Sequence, residues 1–147
     1  MKGPGSRTHV LVKEVEFSHT DLAGIAHFSN FGRFMEAAEH LFLRTAGVPV
    51  VDRIDALTHA GFPRFEVNVK HELPLRFGDM VELRLQVTRL RPGGIEYRVE
   101  FHLPAGRAAV GTMKCGYCRF VDGAIQVAPI PEAHFRRLAE AAGIDPD

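Results

Sequence analysis

Three successive segments of this chain alternate apolar and polar residues with a period of two, and one long segment ahead of them repeats with the period of a helix. That order limits the folds open to it. In residues 64–73, Phe65, Val67, Val69, His71 and Leu73 share one side, and Arg64, Glu66, Asn68, Lys70 and Glu72 take the other. Val81, Leu83, Leu85 and Val87 alternate with Glu82, Arg84, Gln86 and Thr88; Ile95, Tyr97, Val99 and Phe101 alternate with Glu96, Arg98, Glu100 and His102. Successive side chains of a strand point to opposite faces, so such segments predict an antiparallel sheet with one dry and one wet face. The linking stretches, PLRFGD, RPGG and PAGR, carry turn chemistry.

The helical segment runs from Ser29 to Ala46. Phe31, Phe34, Met35, Ala38, Leu41 and Phe42 fall at i, i+3, i+4, i+7 spacing. Ala37 and Leu43 widen the stripe, which predicts a mostly covered helix. Ser29 is suited to the N-cap and Gly47 to the stop. Elsewhere, THVLVKEVEF reads as a first strand, AAVGTMKCGYCRFV as a long last strand, and Asp122-Gly123 as a hairpin turn into a short edge strand, AIQVAP. A short C-terminal helix follows, with Pro131 near its start and Gly143 at its end. Residues 48–62 are left as a connection.

One long apolar helix is the available cover for the dry face. The expected fold is therefore α+β: a single domain over residues 8–143, a curved antiparallel sheet wrapped around one long central helix. Residues 1–7, with their Gly and Pro, are expected to form a flexible tail. One helix over so apolar a sheet, with free edges, predicts self-association.

Composition removes several classes of function. Formal net charge is zero, which argues against a nucleic-acid surface. No apolar run is long enough to cross a bilayer. The start, MKGPGSRTH, has no apolar core of a secretory leader, so the expected location is the cytoplasm. The two cysteines, in KCGYCRF, are spaced as C-x-x-C. On a strand, residues three apart face opposite ways and lie roughly 10 Å apart, beyond the reach of a disulfide at about 7 Å between Cα atoms. No partner motif completes a zinc site, and His59 and His71 stand apart, so two ordinary strand cysteines and no metal are expected.

The stretch FSHTDLAGIAHFSNFGRF lies just ahead of the helix and holds a lone acid, Asp21, among apolar residues. Taken by itself, TDLAG is good turn chemistry. The wider stretch, however, resembles the signature of the 4-hydroxybenzoyl-CoA thioesterase family: Asp21, Gly24, Ile25, Ala26, His27, Phe28, Asn30 and Phe31 fall on its positions. VNVKHELPLRFGDMVEL resembles the family's second signature, a strand leading into a Pro-x-Arg-x-Gly-Asp turn. The resemblance spans roughly residues 8–127 and implies the hotdog fold.

It also implies acyl-CoA thioester hydrolysis. Asp21 would act as nucleophile or general base, two roles that remain open. The N–H of Phe28, at the start of the helix, would point at the thioester oxygen, where a helix N-terminus offers unpaired donors and positive potential. Gly24 would let the backbone close around the reacting group. His27, Asn30 and Phe31 would contact substrate, with Phe31 and Phe34 also in the core. A neighbouring branch carries a functional His one position later, where this chain has Phe28, so His27 is assigned to the pocket wall. Arg89 and Arg91 are the candidates for the phosphates of coenzyme A, with Arg64 and Arg119 ranking behind them. No cofactor is implied, coenzyme A being part of the substrate. The family implies a pocket at a dimer interface, with homodimers commonly paired into homotetramers.

Two other functions fit less of the sequence. A hotdog hydratase or dehydratase would use an Asp and His pair, but that branch resembles Asp-x-Asn-Pro-x-His and DLAGIAH lacks Asn-Pro and the spacing. A non-catalytic acyl-CoA binder has no need of the acid. Nothing in the sequence separates an aromatic from an aliphatic acyl group, or coenzyme A from an acyl carrier protein.

Overall fold

The computed structural model describes residues 6–147. The expected tail over residues 1–7 therefore lies mostly outside the described residues, and Arg7 N–H donates to the Ala142 carbonyl at 2.9 Å. The order of elements is β1 (His9–Glu14), a 3-10 turn (Phe17–His19), α1 (Ser29–Ala46), β2 (Val51–Arg53), β3 (Thr58–Gly61), β4 (Arg64–His71), β5 (Met80–Arg91), β6 (Gly94–Leu103), β7 (Gly106–Gly116), β8 (Cys118–Val121), β9 (Ala124–Val127) and α2 (Glu132–Ala142). Every strand pairing is antiparallel. Among the described residues no helix is long and apolar enough to cross a membrane.

Where one sheet was expected there are two hydrogen-bonded sets, in the orders β1-β5-β6-β7-β4 and β2-β3-β8-β9. The expected long last strand breaks at Tyr117. The Gly116 N–H donates to the Pro63 carbonyl, and the Tyr117 carbonyl accepts from Ala128. The chain beyond the break pairs with β3, inside the stretch expected to be a plain connection. That stretch lacks alternation; its strands exist because β8 lies beside them. Asp122 and Gly123 take φ of 48° and 80°, which suits the two-residue turn between β8 and β9.

The alternation is realised in β5 and β6: Val81, Leu83, Leu85, Val87, Ile95, Tyr97, Val99 and Phe101 are at most 1 % exposed. A bulge between Val87 and Arg89 shifts the parity of β5, so Leu90 also turns inward. Helix α1 lays its apolar stripe on this face. Phe31 meets Phe101 at 5.2 Å between ring centroids, and Phe42 meets Tyr97 edge-on at 5.8 Å. Gly111 of β7 leaves room for the Met35 side chain, which a Cβ there would strike. Gly47 closes the helix at φ 77°, with Val48 N–H donating to the Leu43 carbonyl at 2.9 Å. At the other end Phe28, not Ser29, takes the cap position, and it does so without a side-chain cap.

Close approach also occurs at the β6–β7 pairing, where a Cβ on Gly94 would collide with the Cys115 carbonyl oxygen. Backbone cannot yield as a flexible side chain can. Gly94→Ala is expected to cost about 2 kcal/mol, within the range for overpacking, read as a fall in thermal midpoint; an unchanged midpoint would mean that the strand ends separate freely.

The helix also carries a buried acid that its apolar pattern did not announce. Glu39, 2 % exposed, accepts from Arg64 Nη2 of β4 at 2.8 Å, and the same nitrogen reaches Glu36 at 2.7 Å. Cys115 Sγ donates to the other Glu39 oxygen at 3.4 Å. Burial raises the Glu39 carboxyl above its ordinary value, opposed by the Arg64 charge, and burial pushes the Cys115 thiol well up. Cys115 and Cys118 are both free and both buried, on different strands. β4 is an edge strand of its sheet, and among the described residues its apolar side is covered only in part: Val69 packs on the core, whereas Phe65 and Val67 are 66 % and 45 % exposed.

Candidate active site

The segment between the 3-10 turn and α1 is held in a tight loop. Thr20 bridges to Ala26, Asp21 N–H donates to the Ile25 carbonyl at 3.1 Å, and Gly24 N–H donates to the Asp21 carbonyl at 2.9 Å. Gly24 makes this possible with a φ of 76°, a conformation L side chains rarely adopt. The Asp21 carboxylate takes part: its Oδ1 accepts the Ala23 N–H at 2.8 Å. The Asp21 side chain is thus a turn residue that stays exposed, with one oxygen engaged in the turn.

Two further bonds set the loop against the rest of the fold. Ala26 N–H donates to the Leu75 carbonyl at 2.7 Å, and Ile25 bridges to Arg76. His27 N–H donates to the His19 carbonyl at 2.8 Å. Asn30 is buried, and its side-chain amide donates to the His19 and His27 carbonyls at 2.8 and 3.3 Å. It fastens the loop to the helix and does not line the pocket, although substrate contact was expected of it.

The result is a cavity of about 410 Å³ between two walls. Asp21, Ile25, Ala26, His27, Phe28 and Phe31 form one; His71, Glu72, Leu73, Pro74 and Leu75, from the end of β4 and the turn after it, form the other. Most of the lining is apolar, with few polar groups, as in many small-molecule sites. At the helix start, the Phe28 N–H donates no hydrogen bond among the described residues. It is one of the orphan donors every helix N-terminus leaves.

The polar side chains of the walls differ in what already occupies them. His27 Nδ1 accepts from the Ser29 N–H at 3.3 Å and lies 2.8 Å from the Ser29 hydroxyl, which leaves the ring proton on Nε2. Its ring rests on Phe28, 4.4 Å between centroids. Glu72 receives a fork from Arg107 at 2.7 and 3.1 Å, which holds its carboxyl below the ordinary value. The His71 ring makes no hydrogen bond among the described residues and lies edge-on to Phe31 at 4.5 Å.

Other expected positions lie elsewhere. Gly24 shapes the loop and has no place in the cavity wall. Phe34 is buried against the His19 ring and also stays out of the wall. Arg89 and Arg91 sit at the far end of β5 from the pocket, tied to Asp147 at 2.7 Å and Glu96 at 3.1 Å. Arg64 belongs to the buried cluster with Glu39. Sequence reading missed the second wall. The signal for it was present: HELPL leads straight into the Gly-Asp turn that resembles a family signature.

Known proteins resemble this chain in sequence and in fold. The family described as Thioesterase superfamily matches residues 23–110, a span that begins two residues after Asp21 and contains the helix start and the β4 wall. Over 110 residues the chain is 29 % identical to a 1,4-dihydroxy-2-naphthoyl-CoA hydrolase of Parasynechococcus marenigrum, covering 71 % of this chain and 72 % of the relative. A hypothetical protein from Thermus thermophilus superposes with a TM-score of 0.78 at 28 % identity, over 90 % of this chain and 98 % of the other. A gentisyl-coenzyme A thioesterase does so with a TM-score of 0.74 at 28 % identity, over 88 % and 98 %. The chain belongs to the Thioesterase superfamily and is a thioester hydrolase with the hotdog thioesterase fold.

Proposed function

We propose that the protein hydrolyses aroyl-CoA thioesters in the manner of the 4-hydroxybenzoyl-CoA thioesterase family, as a single hotdog domain over residues 8–143 with α1 as its central helix. The observation that carries this is that Asp21 and Phe28, whose N–H donates no hydrogen bond among the described residues, line one wall of a largely apolar cavity. Hydrolysis needs those two things: a base or nucleophile at the carbonyl carbon, and a donor where negative charge collects on oxygen. Loss of one such donor typically costs about 10² to 10³ in rate.

Asp21 serves in either of two balanced routes. As nucleophile, its carboxylate attacks the carbonyl carbon, the C–S bond breaks, the thiolate of coenzyme A leaves and is protonated, and water cleaves the mixed anhydride. As general base, it takes a proton from water as the water oxygen attacks, and that proton ends on the departing thiolate. Both routes consume only water and thioester, so no cofactor is needed. Phe31 and His27 frame the acyl group, and Gly24 and Asn30 hold the loop that presents Asp21.

An aromatic acyl group is favoured by the apolar lining of Phe28, Phe31, Pro74 and Leu75, and by the aroyl substrates in the names of two relatives. Self-association is supported by the free edge of β4 with Phe65 and Val67 exposed on it. A homodimer or homotetramer built there would bring a partner near the β4 wall of the pocket. The cytoplasm is the proposed location.

The test is thioester hydrolysis followed by trapping of the free thiol, across acetyl-, hexanoyl-, palmitoyl-, benzoyl- and phenylacetyl-CoA. Benzoyl-CoA is expected to have a higher kcat/KM than the aliphatic esters. Preference for palmitoyl- or hexanoyl-CoA would remove the aroyl assignment.

A further inference from the structure

The peptide group that joins His27 to Phe28 is held at one end only. Its N–H, that of Phe28, donates no hydrogen bond among the described residues. Its carbonyl, that of His27, accepts from Asn30 twice: from the backbone N–H at 3.0 Å and from the side-chain amide at 3.3 Å. The same amide nitrogen also donates to the His19 carbonyl at 2.8 Å. Carbonyls only accept, so it is the NH2 end of the Asn30 side chain that faces both.

A peptide group is a rigid plane, and in the trans form found here its N–H points opposite to its C=O. With the His27 oxygen drawn toward Asn30, the Phe28 N–H points away from Asn30 and out of the helix start. Donors on the oxygen also polarise the whole group, which strengthens its N–H as a donor. The first turn of α1 has no need of this side chain. Phe28 holds the cap position without a side-chain bond, and alanine would suit the helix better than asparagine. A buried asparagine at this place is explained by the carbonyls it bonds, not by the helix it stands in.

We infer that Asn30 is a positioning residue for the oxyanion donor: through the His27 carbonyl it aims and polarises the Phe28 N–H that meets the thioester oxygen. This rests on the role proposed above for that N–H, and it goes beyond fastening the loop. Asn30 itself touches neither substrate nor reacting atoms. Charge collects on the oxygen only in the transition state, so the contribution of Asn30 falls on kcat and not on KM.

The experiment compares Asn30→Ala and Asn30→Ser with the wild type, with thermal midpoints to verify folding. In Asn30→Ala both carbonyls keep a backbone partner, so the fold is expected to hold. A serine hydroxyl can donate to the carbonyl three residues back, that of His27, while its shorter side chain gives up the His19 bond. On the ester of the panel above that the wild type cleaves fastest, Asn30→Ala is expected to lose kcat about tenfold with KM nearly unchanged, short of the roughly 10² to 10³ for a donor removed outright. Asn30→Ser retains most of kcat. A second readout follows the donor itself. The same ester, isotope-labelled at its carbonyl carbon, is bound to Asp21→Asn, and its carbonyl stretch is read by difference infrared spectroscopy. Binding is expected to lower the frequency relative to the free ester, and adding Asn30→Ala removes most of that shift. No kcat loss in Asn30→Ala, an equal loss in both variants, a loss carried by KM, or an unchanged shift overturns the inference and leaves Asn30 a fastener of the loop. A loss of about tenfold in Asn30→Ser overturns it even where Asn30→Ala does not fold. No shift in Asp21→Asn alone would instead remove the Phe28 N–H from the proposed mechanism, and the inference with it.

Discussion

Asp21→Asn is expected to lower kcat by about 10³-fold on every thioester the protein cleaves, with KM and thermal midpoint nearly unchanged. The magnitude is that of a lost general base, typically 10² to 10⁴; a lost nucleophile would do at least as much. The substitution is a clean one for a structural reason. Asp21 Oδ1 accepts the Ala23 N–H, and an asparagine keeps an oxygen able to accept the same bond. The loop, with Gly24 at positive φ and Ala26 bonded to Leu75, has no cause to move. What disappears is the negative charge and basicity. Steady-state rates with thiol trapping, beside a melting curve, decide the matter. Activity within a fewfold of wild type would remove Asp21 from the reaction and leave it as a turn residue only.

The second large effect lies in stability. Arg64→Met is expected to destabilise the fold by about 3 to 5 kcal/mol, the usual cost of leaving one member of a buried ion pair without its partner. Glu39 is 2 % exposed, and in the variant only Cys115 would remain to it. The thermal midpoint should fall by about 10 °C for a chain of this size. Adding Glu39→Met to the variant should recover most of the loss, since apolar replacement of a whole buried pair is often neutral or stabilising.

The same pair predicts a pH dependence. In the folded state burial holds the Glu39 carboxyl above its ordinary 4.5. The native state therefore binds this proton more tightly than the unfolded chain does, and the destabilisation grows as pH rises from 4.5 through the native value. Removing the Arg64 charge raises that value further. The penalty of Arg64→Met should accordingly be smaller at pH 5 than at pH 8, measured by denaturant unfolding at the two pH values. A penalty that grows on acidification would contradict a buried, charged Glu39.

Much of the architecture was legible because it depends on near neighbours in the chain. The 3.6-residue stripe of Phe31, Phe34, Met35, Ala38 and Phe42 marks α1 to its last residue, since Gly47 permits the left-handed stop. The period-two runs of β5 and β6 are read from parity alone, and Asp122-Gly123 names its own turn. The acid, glycine and helix start of the candidate active-site loop likewise lie within a few residues of one another, so a short motif carries them.

What escaped the sequence joins parts of the chain far apart in number. Leu90 turns inward only because a bulge shifts the parity of β5. β2 and β3 form because β8, more than fifty residues later, pairs beside them. Glu39 is buried in α1 because Arg64 and Cys115, far along the chain, come to face it. Asn30 became a fastener because the His19 carbonyl lies within its reach, and Arg89 and Arg91 fell away from the pocket because β5 is long and the pocket is at its other end. The sequence by itself determined both helices, the strands β1, β4, β5 and β6, their order and the loop that carries Asp21, because backbone propensity and periodicity are local. Only the tertiary structure decided the second wall of the pocket, with His71 on it, because that wall exists through strand register and through the bond from Ala26 to Leu75, and pairings of that kind are chosen by the packing of the whole core.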